Sequence, residues 1–378
     1  MKIDHLIHDD GAGGGPKTVL NHVTYCSKIH DIRLLHGGAG MLHDKLQKMG
    51  VSQKIVPFDR LWKIPAGFFA ILFLLMSRKP DLLLLHGQWA GFVGSVAGKL
   101  AGVPSIVYVS QWPSFYTDWD LLRTVRNFIL EATPCRICDA IVAISPGNRV
   151  EFLRRFPFID KKLHYIPNSI DLNVLPLPGP SREFSRELGW DDAATHVVCV
   201  GRLSTQKRCD WLLRAWKIVE SHQQDARLWM IGDGELGADL RSLARDLGLR
   251  HCTFLGSQKD AIRYIAASDI VAMPSMYEGH ANIPLEAMAC GRPIVACAVD
   301  GVRESFSDGE QGILVPPANP EAFAAGLLRL LSSPSERERM GTAGLKHVRV
   351  FEKSSILKQF LALFAKLKPK QNVFGLTG

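Results

Sequence analysis

Two carboxylates, Glu278 and Glu286, flank a predicted junction between a loop and a helix. Pro284 suits the first turn of that helix, where a missing backbone N–H is tolerated, and Gly291 suits the position just past its end. Glu278 is therefore expected in the loop and Glu286 on the first turn, both near helix-terminal amides that favour phosphate. Acids that accept from hydroxyls, beside amides that bind phosphate, indicate a sugar-nucleotide site. The alternative is a core helix beside a surface loop that carries two acids by chance.

A second candidate site lies where a predicted strand, 196–200, turns into a predicted helix, 209–220. Arg202 and Lys207 occupy this turn. A guanidinium that binds two oxygens at once, with an ammonium five residues later, suits a diphosphate. The same residues are equally compatible with a solvated basic loop.

Glycines follow several predicted strands, at places where a backbone without side chains can approach a ligand. Gly14 and Gly15 end a glycine-rich run after the first strand, and Gly232 and Gly256 end two strands of the second half. The run lacks the spacing of a dinucleotide-binding fingerprint. Gly232 is equally explained as part of a plain turn.

The sequence motifs that could indicate metal binding or nucleic-acid binding are weaker. Asp118 and Asp120 have a D-x-D spacing that metal-dependent sugar transferases use, but Asp120 is better explained as the N-cap of a helix over 121–133. Cys135 and Cys138 form a single C-x-x-C pair, which is more typical of packing thiols than of zinc or redox sites. Basic stretches are short and lack interleaved aromatic residues, so no nucleic-acid partner is expected. We expect a metal-independent site without a cofactor.

Composition indicates a globular protein of two or three domains. The 378 residues are 47% hydrophobic and 22% charged. The net charge of +8 is concentrated in the first 180 residues, which hold 20 Lys and Arg against 14 Asp and Glu. Such an excess attracts anionic partners. Eight scattered cysteines and an N-terminal segment without a signal-peptide pattern favour reduced thiols and a cytoplasmic location.

One apolar run, Gly67–Met76, is too short to cross a bilayer, which takes about 20 residues. It predicts a buried helix, followed by a turn and a buried strand. The alternative is an interfacial face, formed by Trp62, Phe68, Phe69 and Phe73, that contacts an anionic membrane surface.

Strands alternate with helices throughout the chain, which predicts parallel sheets covered on both faces. A segment rich in proline, 175–180, suits a linker. We predict an α/β fold with a first domain over 1–178, a second over 179–350, and a C-terminal helix and tail over 351–378. The carboxyl ends of the strands are expected to face a shared central cleft, where open α/β sheets bind ligands.

Several motifs together resemble glycosyltransferase family 4. These motifs are Gly201-Arg202 with Lys207 and Asp210, Gly232-Asp233-Gly234, and Glu278 with Glu286 running into Ala287-Met-Ala-Cys-Gly-x-Pro293. The resemblance covers nearly the whole chain, is strongest over 197–320, and is looser before residue 180. It implies the GT-B fold of two tandem, doubly wound Rossmann-like domains, with the C-terminal helix crossing back to the first domain.

The resemblance also implies roles for individual residues. Arg202 and Lys207 would hold the donor diphosphate, and Glu278 would sit at the donor sugar; these three are the catalytic candidates. The donor-binding candidates are Glu286, Gly279, His280, Ala281, Asn282, Gly14, Gly15, Gly232 and Gly256. Fixed charge and helix dipoles would stabilise the leaving group in place of a metal.

The chain departs from the family pattern at three points. Ser110-Gln111-Trp112 stands where a histidine is usual, Arg208 stands where glycine follows the lysine, and Ser169 replaces the glycine of an Asn-Gly turn. The first departure affects the sugar pocket. The other two are expected to alter a loop without abolishing phosphate binding.

The leading hypothesis is a retaining hexosyltransferase that uses a nucleoside-diphosphate sugar, most simply a UDP-sugar. Its acceptor would be a growing glycan or a lipid-linked saccharide at the cytoplasmic membrane face. The alternatives are an isomerase resembling a UDP-sugar 2-epimerase, and a sugar-nucleotide-binding protein without catalysis.

Overall fold

A computed structural model of the protein describes residues 1–8, 14–38, 40–58, 63–111, 121–174 and 182–367. The chain forms two compact units. The first consists of Met1–Ser169 with Lys353–Gly378, and the second of Ile170–Glu352. The predicted linker, 175–180, lies outside the described residues, and the predicted boundary at 178/179 stays a prediction.

The first unit contains a parallel sheet whose described strands number seven. In chain order they are β1 Lys2–Ile7, β2 Asp31–His36, β3 Ser52–Ile55, β4 Leu82–His86, β5 Ser105–Ser110, β6 Ala140–Ala143 and β7 Leu163–Tyr165. The helices between them are α1 Gly14–Cys26, α2 Met41–Lys48, α3 Ile64–Arg78, α4 Gln88–Leu100, α5 Leu121–Ile137 and α6 Pro146–Arg155. The strand order across the sheet is β3-β2-β1-β4-β5-β6-β7.

The strand order reverses between β1 and β4, so right-handed crossovers place helices on both faces. Two separate apolar clusters result. One packs α1 and α2 against the sheet, through residues such as Val19 and Leu42. The other packs α3, α4 and α5 against the opposite face, through residues such as Ile71 and Val93.

The second unit repeats this architecture with six described strands. They are β8 Thr195–Val200, β9 Ala226–Ile231, β10 Cys252–Gly256, β11 Ile270–Met273, β12 Ile294–Cys297 and β13 Gly312–Val315. Its helices are α7 Arg182–Glu187, α8 Cys209–His222, α9 Gly237–Asp246, α10 Ala261–Ala267, α11 Asn282–Ala289, α12 Pro320–Ser332 and α13 Pro334–His347. The order is β10-β9-β8-β11-β12-β13, all parallel. The sequence-based prediction of two doubly wound α/β sheets is confirmed.

A last helix, α14 Lys353–Lys366, belongs to the first unit, as predicted. Its apolar face, which includes Ile356, Leu357 and Phe360, joins the cluster that covers α1. The polypeptide chain thus leaves the first unit after β7 and returns to it with α14.

Three local expectations need correction. Helix α1 begins at Gly14, so Gly14 and Gly15, which end the glycine-rich run after the first strand, belong to its first turn, where Pro16 is tolerated. Strands β2 and β3 were not predicted, since polar residues interrupt the apolar pattern of both. Helix α3 forms as expected, but only one side is buried, and Phe69 and Phe73 are exposed.

Candidate active site

The candidate residues of the second unit follow the carboxyl ends of neighbouring parallel strands. The strand order reverses between β8 and β11, so the chain leaves these two adjacent strands towards opposite sides of the sheet. Such a switch point opens a crevice at the carboxyl edge, where α/β sheets bind ligands. The loop 201–208 follows β8 and the loop 274–281 follows β11. The fold therefore brings the two predicted sites, far apart in sequence, to one edge.

The loop after β8 is shaped by close backbone contacts. Gly201 has φ of 158°, and a Cβ added to Gly232 at the end of β9 would lie only 1.9 Å from the Gly201 carbonyl oxygen. Any side chain at Gly232 would displace this loop. Gly232 is therefore a packing glycine beside the site, and Arg202 in the same loop is exposed.

Arg208 explains one departure from the family pattern. Its backbone is left-handed, with φ of 45°, a conformation that favours glycine. Its guanidinium forms a two-pronged ion pair with Asp210, at 2.9 and 2.6 Å, and lies 4.2 Å from the ring centre of Trp211. These contacts hold an arginine where glycine is usual, so the loop keeps its conformation.

Lys207 and Glu278 meet directly. The Lys207 Nζ lies 2.5 Å from the Glu278 Oε1, and the Glu278 side chain is almost fully buried. Gln206 adds a second link, since its Nε2 donates to the Tyr277 carbonyl oxygen at 3.0 Å and to the Glu278 Oε2 at 3.4 Å. The backbone N–H of Met276 donates to the Gln206 carbonyl oxygen at 2.9 Å. The two loops are thus joined by an ion pair and three hydrogen bonds.

The loop that carries Glu278 continues through Gly279–Ala281 into α11. Gly301, with φ of 78°, packs against it: an added Cβ would lie 2.4 Å from the Gly279 carbonyl oxygen. The Ala281 N–H donates to the Gly301 carbonyl oxygen, and the Glu304 carboxylate accepts from the Gly301 N–H at 2.6 Å. The segment after β12 therefore supports the loop from behind.

Helix α11 begins at Asn282, so Pro284 lies in its first turn, as predicted. Glu286 is the fifth helical residue and lies at the start of the second turn, because the helix begins two residues before Pro284. Glu286 is buried, as is His280. Burial lowers the pKa of His280 to about 4. The centre of its ring lies 5.5 Å from that of Phe351, so the His280 side chain is a neutral group in the core beside the loop.

The remaining predicted glycines lie at other strand ends. Gly256 ends β10 in a left-handed conformation, with no atom within 4 Å of an added Cβ. Gly14 and Gly15 belong to the first unit, in the first turn of α1. There, an added Cβ at Gly15 would lie 2.4 Å from the Gln111 Oε1. Gln111 thus packs on the glycine backbone after β1, from the position next to where the family usually has histidine.

Among the described residues, no group of three or more His, Cys, Asp or Glu side chains is arranged to hold an ion. Asp118 and Asp120 lie outside the described residues, as do Trp112 and Trp62. Cys135 and Cys138 are buried in the core, and burial raises the pKa of both thiols.

Gln206 and Glu304 are site residues that the sequence analysis missed. Gln206 could have been noticed from its position next to Lys207, since a side chain there can reach the same neighbouring loop. Glu304 could not be assigned a role from the sequence, because its contact with the Gly301 N–H depends on the fold of the segment after β12.

We expect Gln206→Ala to lower kcat/KM for the sugar transfer expected from the sequence by about fivefold. The substitution removes hydrogen bonds, worth about 1 kcal/mol, that align Glu278. Gln206→Glu should not restore activity, because a carboxylate would repel Glu278. Steady-state kinetics of both variants test this. Gln223→Ala, just beyond the end of α8, is a control, and equal activity of all proteins would contradict the expected alignment.

Comparison with known proteins identifies the family. The model described as "Glycosyltransferase Family 4" matches residues 12–174, and that described as "Glycosyl transferases group 1" matches residues 194–333. The chain belongs to glycosyltransferase family 4. Among relatives of this glycosyltransferase, an uncharacterized glycosyltransferase of Methanocaldococcus jannaschii is 29% identical, over 75% of this chain and 73% of the relative. A D-inositol 3-phosphate glycosyltransferase of Nocardiopsis dassonvillei is 24% identical, over 88% and 80% of the two chains.

Solved structures agree on the fold of this family 4 enzyme. Anabaena HepE, in a crystal structure with UDP-glucose, has a TM-score of 0.85 at 20% identity, and the alignment covers 97% of this chain and all of HepE. The fold is therefore of the GT-B type.

Proposed function

We propose that this glycosyltransferase moves a hexosyl unit from a UDP-sugar to a glycan or a lipid-linked saccharide, with retention of anomeric configuration. The observation that carries the proposal is the joining of Lys207 and Glu278 at the carboxyl edge, beside the loop of Arg202. Lys207, a cation that can bind phosphate, lies there beside Glu278, an acid that can accept hydrogen bonds from sugar hydroxyls. The complex of HepE with UDP-glucose supports the choice of donor.

Leaving-group stabilisation is the main chemical task. The bond between the anomeric carbon and the diphosphate oxygen breaks, and the acceptor oxygen bonds to the same face of the sugar. The departing phosphate oxygen takes the acceptor proton. Arg202 and Lys207 offset the negative charge that develops, and the N-terminal amides of α11 add a partial positive charge.

The two acids have separate tasks in this proposal. Glu278 accepts hydrogen bonds from the transferred sugar, and its contacts with Lys207 and Gln206 hold it in position. Glu286, on the second turn of α11, accepts from the ribose hydroxyls. We propose that the reaction needs no metal ion, since two side-chain cations serve the diphosphate.

The named relatives favour transfer over the two alternatives. The relatives from Methanocaldococcus jannaschii and Nocardiopsis dassonvillei are both named glycosyltransferases, and neither is named an epimerase or a binding protein. We propose that the enzyme works on the cytoplasmic side of a membrane, where nucleotide sugars and lipid-linked acceptors are both accessible.

Glu278→Gln is the direct test of the site. The substitution keeps the shape but removes the charge that pairs with Lys207 and accepts sugar hydroxyls. We expect kcat/KM to fall about 10- to 100-fold, since hydrogen bonds to charged groups are worth about 1.5–3 kcal/mol. Transfer from UDP-glucose to a panel of saccharide acceptors is the measurement. Glu338→Gln, an exposed acid on α13, serves as the matched control.

Each alternative gives a different result in this assay. Unchanged turnover of Glu278→Gln would remove Glu278 from the mechanism. Release of free epimerised sugar without acceptor would favour the isomerase. A rise of the apparent Tm with UDP-glucose, without transfer to any acceptor, would favour a binding protein.

A further inference from the structure

One side of helix α3 presents large apolar side chains to solvent. Phe69 and Phe73 are 67% and 71% exposed, and Met76 is also exposed. Their spacing of four and three residues places them in one stripe along the helix. The opposite side, with Ile71 and Leu75, is buried against the sheet. Helix α3 is thus apolar on all sides. Helices of this kind occur in protein cores or in contact with membranes.

The stripe belongs to a larger surface. Helix α4 packs beside both α3 and α5. Further exposed apolar side chains of these helices are Leu100, Leu121, Leu122, Val125, Phe128 and Ile129. Exposed apolar side chains therefore recur on three neighbouring helices, and large exposed apolar surfaces mark interaction sites.

The exposed charges on the same three helices are of one sign. Within their described residues the exposed ones are Lys99, Arg123, Arg126 and Arg136. The single acid of these helices, Glu131, is fully buried and accepts from the Tyr108 hydroxyl at 2.8 Å. Burial raises the pKa of Glu131 to about 8, which keeps it largely neutral near pH 7. We call these exposed apolar and basic side chains of α3, α4 and α5 the apolar–basic face.

The opposite side of the same sheet lacks this pattern. Helix α2 carries Asp44 next to Lys45, so the signs are mixed there. Single exposed apolar residues do occur, such as Ile29 and Met49, but they stand alone after α1 and α2. The apolar–basic face is therefore a property of α3, α4 and α5.

We propose that the apolar–basic face docks on the surface of an anionic membrane, with Phe69, Phe73 and Met76 entering the headgroup region. Among the described residues, no helix is long and apolar enough to span a bilayer, so the contact is interfacial. This proposal rests on the proposed function, since a lipid-linked acceptor would have to be met at such a surface.

The basic charge of the apolar–basic face favours an anionic membrane over a second copy of the chain as its binding partner. In a symmetric dimer the same surface of both copies would meet, and Arg123 and Arg126 would face like charges. Anionic headgroups instead complement these residues and attract each basic side chain near the surface. Apolar insertion and charge attraction then act together.

Co-sedimentation of the full-length protein with vesicles tests the proposal without requiring transfer. Vesicles of phosphatidylcholine alone are compared with vesicles containing about one third phosphatidylglycerol. We expect binding to the anionic vesicles only, weakened by added salt because the Debye length shortens.

Two variants of the face and one control sharpen the test. Phe69→Ser with Phe73→Ser should lower the partition coefficient by about tenfold or more, through lost apolar insertion. Arg123→Gln with Arg126→Gln should lower it by about tenfold and flatten the salt dependence. Ile29→Ser with Met49→Ser, at 57% and 54% exposure on the opposite layer, should bind like the parent protein.

Binding by the parent that both face variants lose would support the proposal. Equal binding of all variants, or no binding of the parent, would overturn it. A concentration-dependent dimer that Phe69→Ser with Phe73→Ser abolishes would also overturn it, in favour of a self-interface. Arg202→Ala should bind vesicles normally, so loss of transfer and loss of docking are distinguishable.

Discussion

Arg202→Ala is expected to lower kcat/KM for sugar transfer by about 10²- to 10³-fold. Arg202 stands exposed in the loop after β8, in the same loop as Lys207. In the proposed mechanism its guanidinium binds the diphosphate through two parallel hydrogen bonds, which strengthen as charge develops on the leaving group. The loss should therefore appear mainly in kcat.

The matched control is Arg214→Ala, which removes the same charge from an exposed position on α8, seven residues beyond Lys207. Its kcat/KM should stay within about twofold of the parent, because long-range electrostatics are screened. Equal losses in both variants would mean that net charge alone steers the donor. Retention of full activity by Arg202→Ala would remove Arg202 from the site.

Acidification is expected to destabilise the first unit through three buried histidines. His5 and His86 stack with ring centres 5.3 Å apart, and the His5 Nδ1 lies 3.0 Å from the His86 Nε2. His22 meets both rings edge-on. Burial lowers the pKa of His5 and of His22 to about 3, and burial with the neighbouring histidines lowers the pKa of His86 well below its usual value.

The direction of this pH effect on the free energy of unfolding follows from proton uptake by the unfolded chain. Below about pH 6.5 the unfolded chain protonates these histidines while the folded unit does not, so the unfolded state gains stability as the pH falls. Each histidine contributes up to about 1.4 kcal/mol per pH unit. Between about pH 7.5 and pH 5.5, the free energy of unfolding should fall by up to about 4 kcal/mol.

Urea titrations at both pH values measure this loss. His22→Phe, which replaces one ring in contact with Phe360 at 4.2 Å between ring centres, should reduce the slope by about 1.4 kcal/mol per pH unit. His222→Asn, exposed on α8, should leave the slope unchanged. A pH-independent free energy of unfolding for the parent would contradict the assignment of buried, neutral histidines.

The sequence was most informative where chemistry and local structure coincide. Apolar runs such as Ile270–Met273 are strands in the structure because nothing in them competes with burial on both faces. Loop residues such as Lys207 and Glu278 stood out because a cation and an acid in the turns between strands and helices suit a ligand that carries phosphate and hydroxyl groups. Strand β3, with a polar sequence, was missed because an edge strand needs little apolar surface.

By itself, the sequence determined the two α/β units, the family, and the candidate cations and acids, because strand and helix periodicity and motif spacing are local properties. Only the tertiary structure decided that Lys207 pairs with Glu278, 71 residues away, and that Gln206 aligns them. It also decided that Phe69 and Phe73 face solvent, while His5, His22 and His86 share one core. These facts depend on which strands become neighbours and which side of a helix meets the sheet, and both are set by packing of distant segments.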